Sequence, residues 1–274
     1  EGILSMKMIG FESRPGTKDK TSSSFDSHYN DNFCLVLKNL GNLNSLNIIG
    51  TEREVLDPDS VEIQVANAGA NFKDLLIYLG QIPFDSTQLE SVPIGGEISG
   101  YITKLGRNVV GMQVGDAVMG FSNGGGFSKY CVTHQDLVIR IPSCLSMEQA
   151  SGSPVVFSTA LYSLVNLAGI KEGQSVLIHS GAGGLGQAAI QICKLYNAKI
   201  YTTAGSPEKR QFLASQGIQN IYNSRDDSFS EQILNDTNGK GIDIIINSLS
   251  GDLMLKSLEL TANHGHFIEL GKRD

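Results

Sequence analysis

The sequence predicts an α/β protein in two parts, a β-rich domain followed by a doubly wound parallel sheet. Three observations predict it. Residues 176–212 read as strand, glycine turn, helix and strand; strands and helices then alternate to the end of the chain; and from Phe33 onward the first half is short strands and glycine turns. The first signal is the most specific. The apolar Ser175-Val176-Leu177-Ile178-His179 breaks into Gly181-Ala182-Gly183-Gly184-Leu185-Gly186, and apolar residues then recur at helical spacing through 187–196. Small residues are needed because the turn is tight, the backbone approaches a pyrophosphate, and helix packs on strand without room for a Cβ. The phosphates sit on free N–H groups at the helix start. Glycine is 31 of 274 residues, so the string alone matches cheaply by chance, and the flanking strand and helix supply the specificity.

The next strand bears on which dinucleotide is held. A site for NAD places a carboxylate about 20 residues past the glycines, on the ribose 2′-hydroxyl. Residues 199–207 contain no acid and lead into Glu208-Lys209-Arg210. Ser206, Lys209 and Arg210 therefore stand where a 2′-phosphate would lie, Glu208 can turn to solvent, and NADPH is expected over NADH. The same residues suit an ordinary helix start, with Ser206 as N-cap and Pro207 in the first turn. Both readings can hold together.

Length and composition bound the rest. A chain of 274 residues with 41% hydrophobic residues can fill two domains with buried cores. A formal charge of −7 argues against a nucleic-acid surface. No stretch approaches about 18 uninterrupted apolar residues, and the N-terminus has no basic segment followed by an apolar one, so a cytoplasmic location is expected. Cys34, Cys131, Cys144 and Cys193 show no paired spacing and read as free thiols.

In chain order, residues 12–24 are polar and have almost nothing to bury, so residues 1–32 are expected to be a linker or mobile arm. Strands follow at 33–37 and 60–66, the second after the turn Leu56-Asp57-Pro58-Asp59. Residues 71–79 are helical in pattern. Residues 94–101 and 114–120 are rich in glycine, valine and isoleucine and suggest tight-turned strands, and 121–127 is expected to be a mobile loop. A helix begins after Ser146. Beyond Gly173, strands are expected near 175–179, 199–203, 220–223, 242–247 and 265–270, with helices near 184–196, 207–216, 228–237 and 251–260.

Several of these segments carry a resemblance together. Asn71-Phe72-Lys73-Asp74, Gly95-Gly96-Glu97, residues 114–120, 154–160 and 178–186, Asn247-Ser248-Leu249 and Glu269-Leu270-Gly271-Lys272 resemble the enoyl reductase domain of modular polyketide synthases and animal fatty acid synthase. That is a zinc-free branch of the medium-chain dehydrogenase/reductase superfamily, and the likeness is collinear from Phe33 to Asp274. It implies a GroES-like substrate domain over 33–153 and a Rossmann NADPH-binding domain over 154–274, with NADPH in the cleft between them. The implied reaction reduces the 2,3 double bond of an enoyl thioester. Hydride goes to the β-carbon, charge gathers on the thioester oxygen, and the α-carbon is protonated. The implied partners are an acyl carrier protein, which presents the substrate on phosphopantetheine, and neighbouring synthase domains.

The resemblance also assigns residues. Lys272 matches a lysine near the nicotinamide that is a candidate proton donor; an exposed Lys-Arg pair at a loop is the plain alternative. Asn71, Thr159 and Asn247 match positions lining the nicotinamide pocket, or else bond within their own loops. Gly181, Gly183, Gly184, Leu185 and Gly186 match the phosphate-binding turn, and Ser248 and Leu249 the loop facing the cofactor. Tyr78 is a possible donor but more naturally a core aromatic. Ile82 departs from the tyrosine found near that point in many polyketide relatives, which leaves the α-carbon stereochemistry open.

No metal is expected. A catalytic zinc needs about three converging ligands. Zinc-using members of the superfamily carry His where this chain has Gly96, and the closely spaced cysteines of their structural site are absent. His264 and His266 share a face of the last expected strand and read as surface histidines.

Relatives add one more strand to the nucleotide sheet and return to the substrate domain. By that measure about 40 residues beyond Asp274 are expected to be missing. Three other functions stay open: a free-standing quinone or enal reductase of the same fold, a non-catalytic cofactor-binding domain, and a variant in which the enolate displaces a γ leaving group and closes a ring.

Overall fold

The computed structural model describes residues 31–81, 92–122 and 125–271. The expected arm at 1–32 falls almost wholly outside them, as do Ile82 and Lys272. The chain divides into two compact units, one through Val155 and one from Val156.

The first unit is antiparallel. In order it comprises β1 (Asn32–Leu37), β2 (Leu46–Thr51), β3 (Ser60–Gly69), α1 (Phe72–Tyr78), the two-residue β4 (Val92–Pro93), β5 (Glu97–Leu105), β6 (Ala117–Phe121), β7 (Tyr130–His134), β8 (Val138–Arg140) and α2 (Met147–Ser151). A five-stranded sheet runs β7-β3-β5-β6-β8 and a three-stranded sheet β2-β1-β4. Period-two alternation puts Val61, Ile63, Ile98, Ile102, Val118 and Val138 into one core. Glycine is obligatory where the ladder is tightest: a Cβ on Gly100 would lie 2.1 Å from the Gln64 carbonyl oxygen. The buried Glu62 on β3 is held by Arg53, by the Thr103 hydroxyl at 2.7 Å and by Lys104 at 3.2 Å.

Two features differ from expectation here. Strand β2 has no sequence signature, because it is an edge strand largely exposed to solvent and is defined by its register against β1. The end of the 121–127 loop is pinned: the N–H groups of Gly126 and Phe127 donate to Gly95 and Ile94, and the Phe127 carbonyl accepts from Leu35.

The second unit begins within α3 (Pro154–Leu161), which runs into a π-helical segment (Tyr162–Leu167). Then come β9 (Ser175–Ile178), α4 (Gly184–Leu195), β10 (Lys199–Ala204), α5 (Pro207–Ser215), β11 (Asn220–Asn223), α6 (Ser228–Asp236), β12 (Ile242–Asn247), α7 (Gly251–Glu259) and β13 (Thr261–Glu269). All five strands are parallel in the order β11-β10-β9-β12-β13. Strand order reverses beside β9, the switch point where such sheets bind ligands beyond their C-terminal ends. The central β9 is apolar on both sides because both faces are covered: Val176 and Ile178 pack with α4 and α5 through Ala188, Ala189, Ile192 and Leu213, and Leu177 packs with α6 through Phe229 and Ile233.

The last strand corrects the sequence reading. It begins at Thr261 instead of near 265, and its pairing with β12 slips by several residues before a regular ladder starts at His266. His264 lies in that slip with φ +63°, so strand alternation is broken between His264 and His266 and they do not form a same-face pair.

Candidate functional site

The glycine turn after β9 assigns each glycine a task. A Cβ on Gly181 would stand 1.9 Å from Thr202 Oγ1, and one on Gly186 2.5 Å from the Gly181 Cα, so these two exist for close packing of turn, strand and helix. Gly183 is different: only the Ser180 carbonyl oxygen lies within 4 Å, at 3.2 Å, and the residue caps α4 with its face open. Gly184 follows in the first turn, where an added Cβ would meet a Val156 methyl at 3.3 Å. Leu185 offers its backbone N–H at the helix start while its side chain packs against the core. Open N–H groups at a helix N-terminus beside a glycine with free space form a cradle for a phosphate.

A buried network supports the turn. His179 is 3% exposed, with Nδ1 3.0 Å from Thr203 Oγ1 and Nε2 2.8 Å from Ser257 Oγ. The Ser257 hydroxyl donates to the Leu253 carbonyl, so its oxygen accepts from Nε2–H, and Nδ1 accepts from Thr203. This pattern suits a neutral ring, and burial pushes the imidazole pKa down to about 4. Ser180, next in sequence, takes a left-handed φ of +56°, and the Ser248 hydroxyl reaches its Oγ at 3.4 Å, joining the loops after β9 and β12.

At the end of β10 the cations are arranged differently from the sequence reading. Ser206 caps α5, accepting from the Lys209 N–H at 3.3 Å, and the Lys209 side chain is exposed. Arg210 turns back to donate to the Ala204 carbonyl at 3.0 Å. Arg225 was not anticipated: a Cβ on Gly205 would lie 2.5 Å from its Nε, so the guanidinium lies against the strand end. Its turn is stitched by Asn223, which accepts from the Arg225 N–H and donates to Asp226. In sequence Arg225 stands beside two aspartates and reads as a solvated loop; only the pairing of β11 with β10 brings it to Gly205. Glu208 is exposed, and its hydrogen bond with Ser206 holds its carboxyl below the usual range.

Asn247 at the end of β12 is fully buried, and its side chain is spent locally. Nδ2 donates to the Leu249 carbonyl at 2.9 Å and to Glu269 Oε2 at 2.6 Å, while Oδ1 accepts from the Leu249 N–H. Asn247 thus shapes the Ser248-Leu249 loop, and Leu249 itself packs on the core. Glu269 also accepts from the Gly271 N–H, so one carboxylate ties this loop to the residue before Lys272.

In the first unit, Asn71 caps α1. Its N–H donates to Asp74 Oδ2 at 2.8 Å and its Nδ2 to the buried Glu97 at 2.9 Å. Tyr78 Oη is buried with no hydrogen-bond partner among the described residues, and burial, then Asp74, push its pKa up. Thr159 lies partly buried on α3.

A model of the alcohol dehydrogenase GroES-like domain matches residues 57–143, and one of the zinc-binding dehydrogenases matches residues 184–273. The CurK enoyl reductase structure is 38% identical with a TM-score of 0.84, over 88% of this chain and 74% of that one. The chain belongs to the enoyl reductases. These form part of the medium-chain dehydrogenase/reductase superfamily. The CurF ER cyclopropanase structure is 32% identical with a TM-score of 0.82, over 89% and 75% of the two chains. Escherichia coli quinone oxidoreductase complexed with NADPH is 25% identical with a TM-score of 0.79, over 87% and 73%. A mycocerosic acid synthase-like polyketide synthase of Mycolicibacterium smegmatis is 39% identical over 88% of this chain. The enoyl reductase chain spans 11% of that relative's length.

The donor set of this enoyl reductase does not fit a zinc ion, despite the description of one matching family. Among the described residues no three of His, Cys, Asp and Glu converge, and Gly96 has open space where zinc-using members carry His. A dinucleotide does fit, since the cradle at Gly183 needs a ligand that brings its own anionic oxygens to backbone N–H groups.

Proposed function

We propose that this enoyl reductase uses NADPH to reduce the 2,3 double bond of an enoyl thioester carried on the phosphopantetheine of an acyl carrier protein, within a polyketide synthase. The observation that carries the cofactor assignment is the pair of features at the ends of adjoining strands: after β9, Gly183 with open space beside the packed Gly181 and Gly186, and after β10, Gly205 with the Arg225 guanidinium against it and no carboxylate in residues 199–207. On this reading Gly181, Gly183, Gly184, Leu185 and Gly186 form the pyrophosphate turn. Arg225, Ser206 and Lys209 meet the 2′-phosphate, and Arg210 braces the strand end through Ala204. Bound NADPH supplies the hydride that the β-carbon receives.

The residues orient the acceptor and move the proton. Asn71, Thr159 and the Asn247-Ser248-Leu249 loop line the nicotinamide region, with Asn247 acting through the loop it shapes. Lys272 gives a proton to the α-carbon, and Glu269 holds the chain just before it. A Lys acts as an acid near neutrality only with a lowered pKa.

The likeness to polyketide synthases supports a carrier-bound substrate and neighbouring synthase domains as partners, and the free thiols of Cys34, Cys131, Cys144 and Cys193 suit a reducing cytoplasm. The similarity to a cyclopropanase favours one second reading, in which the enolate closes a ring on a γ-substituted chain instead of taking a proton. Mass spectrometry of carrier-protein thioesters after reaction with NADPH tests both. Gain of two hydrogens supports reduction; loss of the leaving group with hydride incorporated supports ring closure; and an unchanged thioester with NADPH unconsumed refutes enzyme function.

A further inference from the structure

One buried carboxylate in the first unit has no part in hydride or proton transfer. Glu97, the first residue of β5, is 2% exposed. Its Oε1 accepts from Asn71 Nδ2 at 2.9 Å and its Oε2 from the Val155 N–H at 2.8 Å. The fold makes space for it: Gly69 faces Glu97 across the β3–β5 ladder, and a Cβ there would stand 2.4 Å from Oε1. Two N–H donors, one on each oxygen, form the pattern of an ionised carboxylate. Burial pushes the carboxyl's pKa up, so the charge is retained against a desolvation cost, and Asp74 adds to that cost. Such a group stays where its hydrogen bonds matter.

We propose that Glu97 is a positioning residue of the reductase site, setting which way the Asn71 amide faces. An ionised carboxylate only accepts, so it binds the amide nitrogen and turns the amide oxygen the other way. With Asp74 holding the Asn71 backbone N–H, the residue is fixed at both ends. The amide oxygen faces the Asp74 N–H in the capping box of α1, and its second lone pair is the acceptor left for a ligand's carboxamide N–H. This inference rests on the reading that Asn71 lines the nicotinamide pocket.

The test uses the 274-residue chain. Glu97→Gln keeps the shape but turns one acceptor into a donor, so either Asn71 or Val155 faces a like group. The expected result is a fall in kcat of about tenfold or more, with the KM for NADPH within about threefold because the phosphate contacts are untouched. The Asn71 side-chain amide resonances of 15N-labelled protein should shift in the same variant. The double variant Asn71→Asp with Glu97→Gln exchanges donor and acceptor, restoring both hydrogen bonds and leaving an oxygen toward the ligand; it should regain most of kcat. A merely structural carboxylate would lower stability without a kcat-specific loss. The proposal is overturned if Glu97→Gln keeps kcat within twofold, if the exchange does not rescue, or if the Asn71 resonances stay in place. Absence of NADPH turnover in the parent chain would refute the proposed function instead, and the resonances then decide the proposal alone.

Discussion

Replacing Arg225 with Ala tests cofactor selection directly, because its guanidinium lies against Gly205. A hydrogen bond between charged partners contributes about 1.5–3 kcal/mol, so loss of its contact with a 2′-phosphate should raise the Kd for NADPH by about 10- to 150-fold. NADH lacks that phosphate and should bind as before. Gly205→Ala reaches the same contact from the backbone side: its Cβ would stand 2.5 Å from Nε, which a flexible side chain relieves by swinging away. Its effect should therefore fall on NADPH alone and remain smaller than that of Arg225→Ala. Fluorescence titration of both cofactors against both variants supplies the four ratios. Equal weakening of NADPH and NADH would mean that Arg225 only supports the fold, and an unchanged NADPH Kd would refute the placement of the 2′-phosphate.

Three further outcomes are expected. Gly183→Val should abolish binding of both cofactors with little change in Tm, whereas Gly181→Ala should lower Tm because its Cβ meets buried Thr202 at 1.9 Å; thermal melts with and without NADPH check this. The neutral His179 makes stability depend on pH: its folded pKa of about 4 lies below its ordinary 6.5, so the unfolded chain takes up the proton first. Stability is full above pH 6.5 and falls by about 3 kcal/mol as pH drops to about 4, a slope that urea denaturation should find absent in His179→Asn. Lys272→Ala should slow turnover by about 10²–10⁴-fold with NADPH binding retained, and a loss below about threefold would leave Lys272 a surface residue.

Periodicity and small-residue spacing by themselves determined the αβ alternation after Gly173, because a helix must bury one stripe and a central parallel strand both faces, and each requirement writes its own repeat. The glycine turn was legible for the same reason: close approach of backbones excludes a Cβ, and the exclusion is visible as Gly181 and Gly186. Edges were not legible. β2 is defined by its register with β1, and the slip at the start of β13 by its register with β12, and register is a property of two segments at once. The site divides along the same line. Absence of an acid in residues 199–207 could be read locally, but that Arg225 lies against Gly205 depends on β11 pairing with β10. Polar residues show the limit most clearly. In sequence Asn247 and Asn71 can equally meet a ligand or bond locally, and only the tertiary structure decides that Asn247 is spent on Leu249 and Glu269, that the Asn71 amide nitrogen is held by Glu97, and that His179 bridges Thr203 and Ser257. Hydrogen bonds act over about 3 Å between residues far apart in the chain, so their partners are chosen by packing and leave no trace in local composition.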